Sequence, residues 1–467
     1  MNKLSDNHPS SSITCQVLTL DNVKCAKDIF QHIAHLPWSM WLDSCNSDHV
    51  DNRYDILVWQ PKITLTTSGN ETQITEVASG KVTLSDQDPF TLLKQTQTAF
   101  FKQYSLPQSA LPFIGGSVGY FSYDLGRRIE SLPSIAKKDI HLPEMAIGLY
   151  NHSIIFDNTT QQIFLTCPEH ERTNIENWLQ TNCQKNIQLS PFSLKKDWQS
   201  NMTRSQYHDK FDQVQEYLLS GDCYQINLAQ RFTAPYSGDE FSAYLALRES
   251  NNAPFSAFLR FDDTSVLSVS PERFLQLKQN KVQSKPIKGT RPRSNDKLID
   301  AANAKALLNA PKDRAENLMI VDLLRNDISK VCQAGTVKVP SLFAIESFPA
   351  VHHLVSTVVG EISPSFDGCD LLRAAFPGGS ITGAPKIRAM EIIDELEPQR
   401  RSVYCGSIGY ISACGTMDSS ITIRTLICEN SKVYCWAGGG LVADSDVDSE
   451  YQETFDKVKK ILPVLEM

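Results

Sequence analysis

The sequence predicts an α+β protein with large antiparallel sheets and flanking helices. Three observations carry that expectation. Short β-type runs bounded by turn residues fill the first part of the chain, at 63–67 and 153–156 among others. A well-signalled amphipathic helix opens at Thr203. Beyond it, strands and helices mix without the regular βα alternation that a doubly wound parallel sheet requires.

Taken in order, residues 115–121 (Gly-Gly-Ser-Val-Gly-Tyr-Phe) read as a strand whose glycines permit close backbone approach. Residues 183–202 are polar, contain Ser190-Pro191 and lack periodicity, which predicts a linker. Thr203 with Gln206 forms a capping box. Tyr207, Phe211, Val214 and Leu218 follow at helical spacing, and Gly221 stops the helix. Residues 223–232 then read as a strand. Two regions follow from this division, 15–185 and 203–464, the second carrying the chemistry.

The 467 residues carry a net charge of −8, 41% hydrophobic and 21% charged residues. That balance offers no basic field to nucleic acid. The first residues lack the apolar core of a signal peptide, and no apolar run reaches membrane-spanning length, so a cytoplasmic location is expected. Twelve cysteines are scattered from Cys15 to Cys435 without a C-x-x-C pair, which predicts reduced thiols.

The strongest chemical signal lies in Ser270-Pro271-Glu272-Arg273-Phe274 and Pro286-Ile287-Lys288-Gly289-Thr290. A hairpin centred on Asn280 would set Glu272 opposite Lys288, side chains on one face. The same spacing suits an ordinary surface ion pair, worth little. To act as a nucleophile the lysine must be neutral, against an unperturbed pKa near ~10.4. Glu272 then fits as a general acid toward a leaving group.

A second, acidic set is split between two helix starts, Asp313 with Glu316 and Glu450 with Glu453. Such pairs suit Mg²⁺ through oxygen ligands, and equally suit the positive end of a helix dipole. Asp444-x-Asp446-x-Asp448 begins like a calcium loop but has Ser449 and Phe455 at its sixth and twelfth positions. Gly378–Gly383 imitates a phosphate-binding loop but has Ala384 in place of lysine. Both it and Gly438-Gly439-Gly440 read as glycine-rich turns whose N–H groups bind anions. Residues 418–425 read as one alternating strand, with Ser420, Thr422 and Arg424 on one face; there the arginine is either a carboxylate clamp or a solvated residue. His353 suits a packed core position as well as an active one.

Together, and in this order, these motifs resemble the chorismate-utilising enzymes, densely from Thr203 onward and more loosely before it. The resemblance implies two large antiparallel sheets packed as a sandwich with helices outside, both regions forming one intimate unit. It implies Mg²⁺ on Glu316 and Glu453, with Asp313 and Glu450 beside them, holding the ring carboxylate of chorismate. It further implies substrate contacts from Tyr404, Arg424, Gly438, Gly439, Gly440 and Lys457, and a catalytic place for His353 beside Glu272 and Lys288.

Within that family, Gln225 stands where the water-using members carry a lysine, and Lys288 stands where anthranilate synthases usually carry alanine. This resembles the branch that places nitrogen at C4 and keeps the enolpyruvyl group, on the way to para-aminobenzoate and folate. Lys288 would be the nucleophile at C2 and Glu272 the general acid and base. The chain lacks a Gly-x-Cys-x-Gly nucleophile turn, so ammonia is expected from a separate glutamine amidotransferase subunit in a heterodimer. Two alternatives remain at this point: an anthranilate-forming member with an atypical lysine, and a silent tryptophan-binding regulatory subunit. Residues 37–44, ending at Ser44, with Pro254 and Phe255, match a tryptophan pocket of relatives; aromatic core packing accounts for them equally well.

Overall fold

The computed structural model describes residues 11–45, 52–347 and 351–466. The opening residues and the first three of the matching run 348–356 lie outside them. Among the described residues the chain forms a fourteen-stranded and a twelve-stranded sheet, paired almost throughout antiparallel, with helices around them. This is the sandwich that the sequence led us to expect.

Both sheets draw strands from both ends of the chain. Phe255–Arg260 pairs with Met40–Asp43, aligning Ser256 with Asp43. Ser407–Ser412 pairs with Gly116–Phe121, aligning Ser407 with Phe121. Alternation along Phe255–Arg260 shows how a strand serves two cores. Ala257 and Leu259 join a cluster containing Leu65 and Val118 of the other sheet, whereas Phe258 packs with Phe30, Trp41 and Phe241. Those rings meet 5.2–6.4 Å apart, in tilted and edge-on geometries.

The glycines of the 116–121 strand permit the expected close approach. A Cβ on Gly119 would lie 2.1 Å from the Ala146 carbonyl oxygen of the neighbouring strand. The helix Arg204–Ser220 begins and ends where its signals stand. Thr203 accepts from the Gln206 N–H at 3.2 Å, Gln206 accepts from the Thr203 N–H at 2.9 Å, and Gly221 takes φ +82°. The segment read as a linker is tied down instead. Its short strands Ser193–Leu194 and Gln199–Ser200 both pair with Gln225–Ser237.

Two places where the chain crosses between the sheets build the site. Thr264–Ser270 belongs to the larger sheet and Arg273–Lys278 to the smaller, leaving Glu272 at the crossing. Met417–Ile421 and Thr425–Glu429 are likewise in different sheets, leaving Arg424 between them. The crossings are stitched together: Ile421 N–H donates to the Glu272 carbonyl, and Val269 N–H to the Arg424 carbonyl, each at 3.1 Å. The expected unbroken strand 418–425 is therefore wrong. Its alternation is real up to Ile421, but changing sheets requires a break, and Arg424 sits at φ +51°.

Candidate active site

Glu272 and Lys288 do meet, by a different route from the hairpin register. Gln279 and Asn280 form a two-residue turn, both at positive φ, which pairs Lys278 with Lys281 and Gln276 with Gln283. That register is one residue away from the expected one, and the ladder ends at Gln276. Lys281–Ser284 and Ile287–Pro292 instead run along Val351–Glu361, aligning Lys288 with Leu354. Extended past its end, the true register sets Glu272 against Ile287, whose N–H supports its carboxylate.

The side chains converge on Ser380, in the turn Gly379–Ile381. Ser380 Oγ donates to Glu272 Oε1 at 3.3 Å, and Lys288 Nζ donates to the Ser380 carbonyl at 3.1 Å. Glu272 is buried, and desolvation pushes its pKa up to about 7, with Lys288, Ser380, Ile287 and Lys457 opposing. Desolvation likewise pulls the Lys288 amine below its ordinary value, opposed by Glu316, Glu272 and Glu453 and assisted by Lys457. Both shifts run toward the less charged form, which is the direction that the sequence chemistry calls for.

Gly289 bulges at φ +75°, and a Cβ there would lie 2.7 Å from Asp313 Cγ. Its bareness lets the helix Pro311–Ser329 approach the lysine. That helix presents Glu316, whose pKa burial raises, with Asp313 and Glu450 adding to the effect and Lys288 and Lys312 opposing. Asp313 pairs with Arg291 at 3.1 Å. The helix Val447–Val458 starts earlier than Glu450, capped by Asp446 on the Ser449 N–H at 2.9 Å, which accounts for the middle one of the three calcium-like aspartates. It presents Glu450, bonded to Ser445 Oγ at 2.7 Å and to Lys312 at 3.3 Å. It also presents Glu453, paired with Lys457 at 2.7 Å. Burial resists ionisation of Glu453, but Lys457, Lys312 and Lys288 hold its pKa below the ordinary range.

Gly438, Gly439 and Gly440 are strand, not turn. They lie in Lys432–Leu441, aligned with Ala229, Leu228 and Asn227. Their lack of side chains makes room: a Cβ on Gly439 would sit 2.8 Å from Glu450 Oε2 and 3.6 Å from Glu453 Oε1. Lys457 Nζ donates to the Gly438 carbonyl at 2.6 Å. Among the described residues no three His, Cys, Asp or Glu side chains converge in ligand geometry.

Arg424 is deeply set beside Glu272; burial lowers its pKa and Glu272 opposes that. His353 bonds Thr290 Oγ1 at 3.0 Å, and its pKa is pushed down to about 4 by desolvation, opposed by the Gly289 backbone and reinforced by Arg424, so it is neutral. Tyr404 is buried and stacked on Trp436, centroids 6.1 Å apart and planes at 8°. Ser44, Pro254 and Phe255 line a separate cavity of about 450 Å³, which Arg273, the neighbour of Glu272, also lines. Ser44 N–H and Oγ both donate to Asp55 Oδ1, at 2.7 and 3.0 Å.

Sequence reasoning missed Ser380 and the buried Glu397–Arg401 pair. Arg401 donates to the Ile381 carbonyl at 3.0 Å and to the Asn227 carbonyl at 2.7 Å, while Glu397 accepts the Ala229 N–H at 2.9 Å. The i,i+4 spacing of Glu397 and Arg401 was a usable signal. The glycines around Ser380 were another, once the phosphate-loop reading had failed.

A family model for chorismate binding enzymes matches residues 39–463. The chain belongs to that family. Within it, the chain is 55% identical over 445 residues to aminodeoxychorismate synthase component 1 of Escherichia coli K12, covering 94% of this chain and 96% of that one. It is 37% identical over 470 residues to the Streptomyces lividans protein of the same name, covering 97% and 94%. Anthranilate synthase component I from Streptococcus pneumoniae superposes with a TM-score of 0.78 at 32% identity, over 88% of this chain and 92% of that one. The E. coli menaquinone-specific isochorismate synthase shares the fold, with a TM-score of 0.74 at 16% identity over 98% and 95%. Among the described residues of this chorismate binding enzyme, no helix is long and apolar enough to cross a membrane. All its cysteines are free.

Proposed function

We propose that this chain converts chorismate and ammonia to 4-amino-4-deoxychorismate, a precursor of para-aminobenzoate and folate. The observation that carries the reading is the pair Glu272 and Lys288, a raised acid and a lowered amine meeting at Ser380. High identity to relatives named for this reaction supports it.

The Lys288 nitrogen forms a bond to C2, the diene electrons shift, and the C4–O bond breaks as Glu272 gives its proton to the departing hydroxyl, releasing water. Ammonia then bonds to C4 and the electrons shift back. The C2–N bond breaks, returning Lys288 as an amine, and the proton lost by ammonia restores Glu272. The enolpyruvyl group is untouched, and the occupied C2 blocks the anthranilate outcome. Arg424, buried beside Glu272, would hold a substrate carboxylate.

Glu316 and Glu453 fit Mg²⁺, which takes one or two carboxylates together with waters and substrate oxygens. The bare Gly439 backbone lets Glu450 and Glu453 approach it, and the repulsion of Glu316 by Asp313 and Glu450 is charge that a divalent ion would relieve. When bound, Mg²⁺ would neutralise the ring carboxylate and ease electron flow into the ring. Ammonia comes from a glutamine amidotransferase partner, in keeping with relatives named as a first component. Product identification in the presence and absence of Mg²⁺ tests this reading.

The cavity at Ser44, Pro254 and Phe255 favours a second binding role, for tryptophan. Its volume suits an indole. Titration calorimetry with L-tryptophan is expected to give a 1:1 complex that a bulky replacement, Ser44→Phe, abolishes. Absence of heat with the wild type would remove this role without touching the amination.

A further inference from the structure

We propose that Ser380 is the positioning residue that keeps the acid and the nucleophile as two separate proton sites, its hydroxyl orienting the Glu272 carboxyl and its carbonyl holding the Lys288 amine. The inference rests on the roles proposed above for Glu272 and Lys288.

Directly paired, a carboxylate and an ammonium hold each other charged, which would disable both groups. Among the described residues Lys288 forms no ion pair; its amine donates to the Ser380 carbonyl, while the Ser380 hydroxyl donates to Glu272. One residue therefore gives each group its own neutral partner. The turn is held for this purpose. Arg401 grips the Ile381 carbonyl at 3.0 Å, Thr382 Oγ1 donates to the Gly378 carbonyl at 3.1 Å, and Asn227 N–H donates to the Thr382 carbonyl at 2.8 Å. The charged groups facing Glu272 are Lys288, Lys457 and Arg424, each from a different segment. All three favour its ionised form, and so does the Ser380 hydroxyl. Of these four, the hydroxyl alone can be removed without removing a charge.

Its removal therefore has a defined direction. In Ser380→Ala the carboxylate loses a donor, so Glu272 should titrate about half to one pH unit higher. The backbone carbonyl remains, so Lys288 keeps its hydrogen-bond acceptor and should respond less than Glu272. The experiment is an infrared pH titration of the full chain, with the Glu272 carboxyl band assigned by its loss in Glu272→Gln. Alongside it, the reactivity of Lys288 toward acetic anhydride is read by mass spectrometry across pH.

The expected result is an upward move of the Glu272 midpoint in Ser380→Ala, its return in Ser380→Thr, and a Lys288 midpoint that moves less than that of Glu272. The kinetic limb near pH 7 should move with the carboxyl, which a merely structural defect would not achieve. An unmoved Glu272 midpoint, or an equal shift in the threonine variant, would overturn the proposal. If the midpoint moves as stated but the wild type forms no C4-aminated product, the role in holding Glu272 stands and the proposed reaction fails.

Discussion

Lys288→Ala is expected to lower C4 amination by roughly 10²–10⁴-fold, the range that loss of a reacting group costs, while the protein stays folded. The amine is desolvated and donates to one carbonyl, so its removal relieves a buried charge at the cost of one hydrogen bond. Because its folded pKa is lowered, the unfolded chain binds the extra proton. Lys288 therefore weakens the fold at neutral pH, and that penalty fades as pH rises toward its ordinary 10.5. The variant should melt no lower than the wild type at pH 7. Product chromatography with parallel thermal melts checks both statements; an unchanged rate and product would remove the lysine from the chemistry.

Glu272→Gln should lose about 10²–10⁴-fold in rate, since an amide cannot hand a proton to the leaving hydroxyl. Its pH signature is more specific. The folded carboxyl titrates at about 7, against an ordinary 4.5. Between those values the folded chain holds a proton that the unfolded chain has lost, so stability falls as pH rises through that window. The glutamine variant should escape that fall and gain on the order of 2–3 kcal/mol relative to wild type at pH 7. Denaturant titrations at several pH values measure this, and the variant's rate profile should lack the limb near 7. A limb that survives in Glu272→Gln would assign it to another group.

Much of this site was legible because its signals are local. The Thr203 cap and the Gly221 stop follow from neighbouring residue types, whereas the shifts of Glu272 and Lys288 come from burial, which neighbouring residue types do not show. The errors arose where one residue of register or one change of sheet decides the outcome. A two-residue turn at Gln279-Asn280 shifts every partner by one, yet Glu272 still reaches Lys288 because carboxylate and amine are long enough to meet at Ser380. Arg424 looked like a strand residue because alternation does not reveal which sheet the next strand joins. Gly438–Gly440 looked like a turn because glycine usually marks one, whereas here the missing side chains make room for Glu450, Glu453 and Gln225. Ser380 was marked in the sequence only by the glycines around it; the convergence of distant segments gives it a role.

The measurement that tests the central claim most directly is mass spectrometry of the products formed from chorismate and an ammonium salt, with Mg²⁺ and with a chelator. The predicted result is a Mg²⁺-dependent amino product that retains the enolpyruvyl group, formed without release of pyruvate. Anthranilate with stoichiometric pyruvate would contradict it.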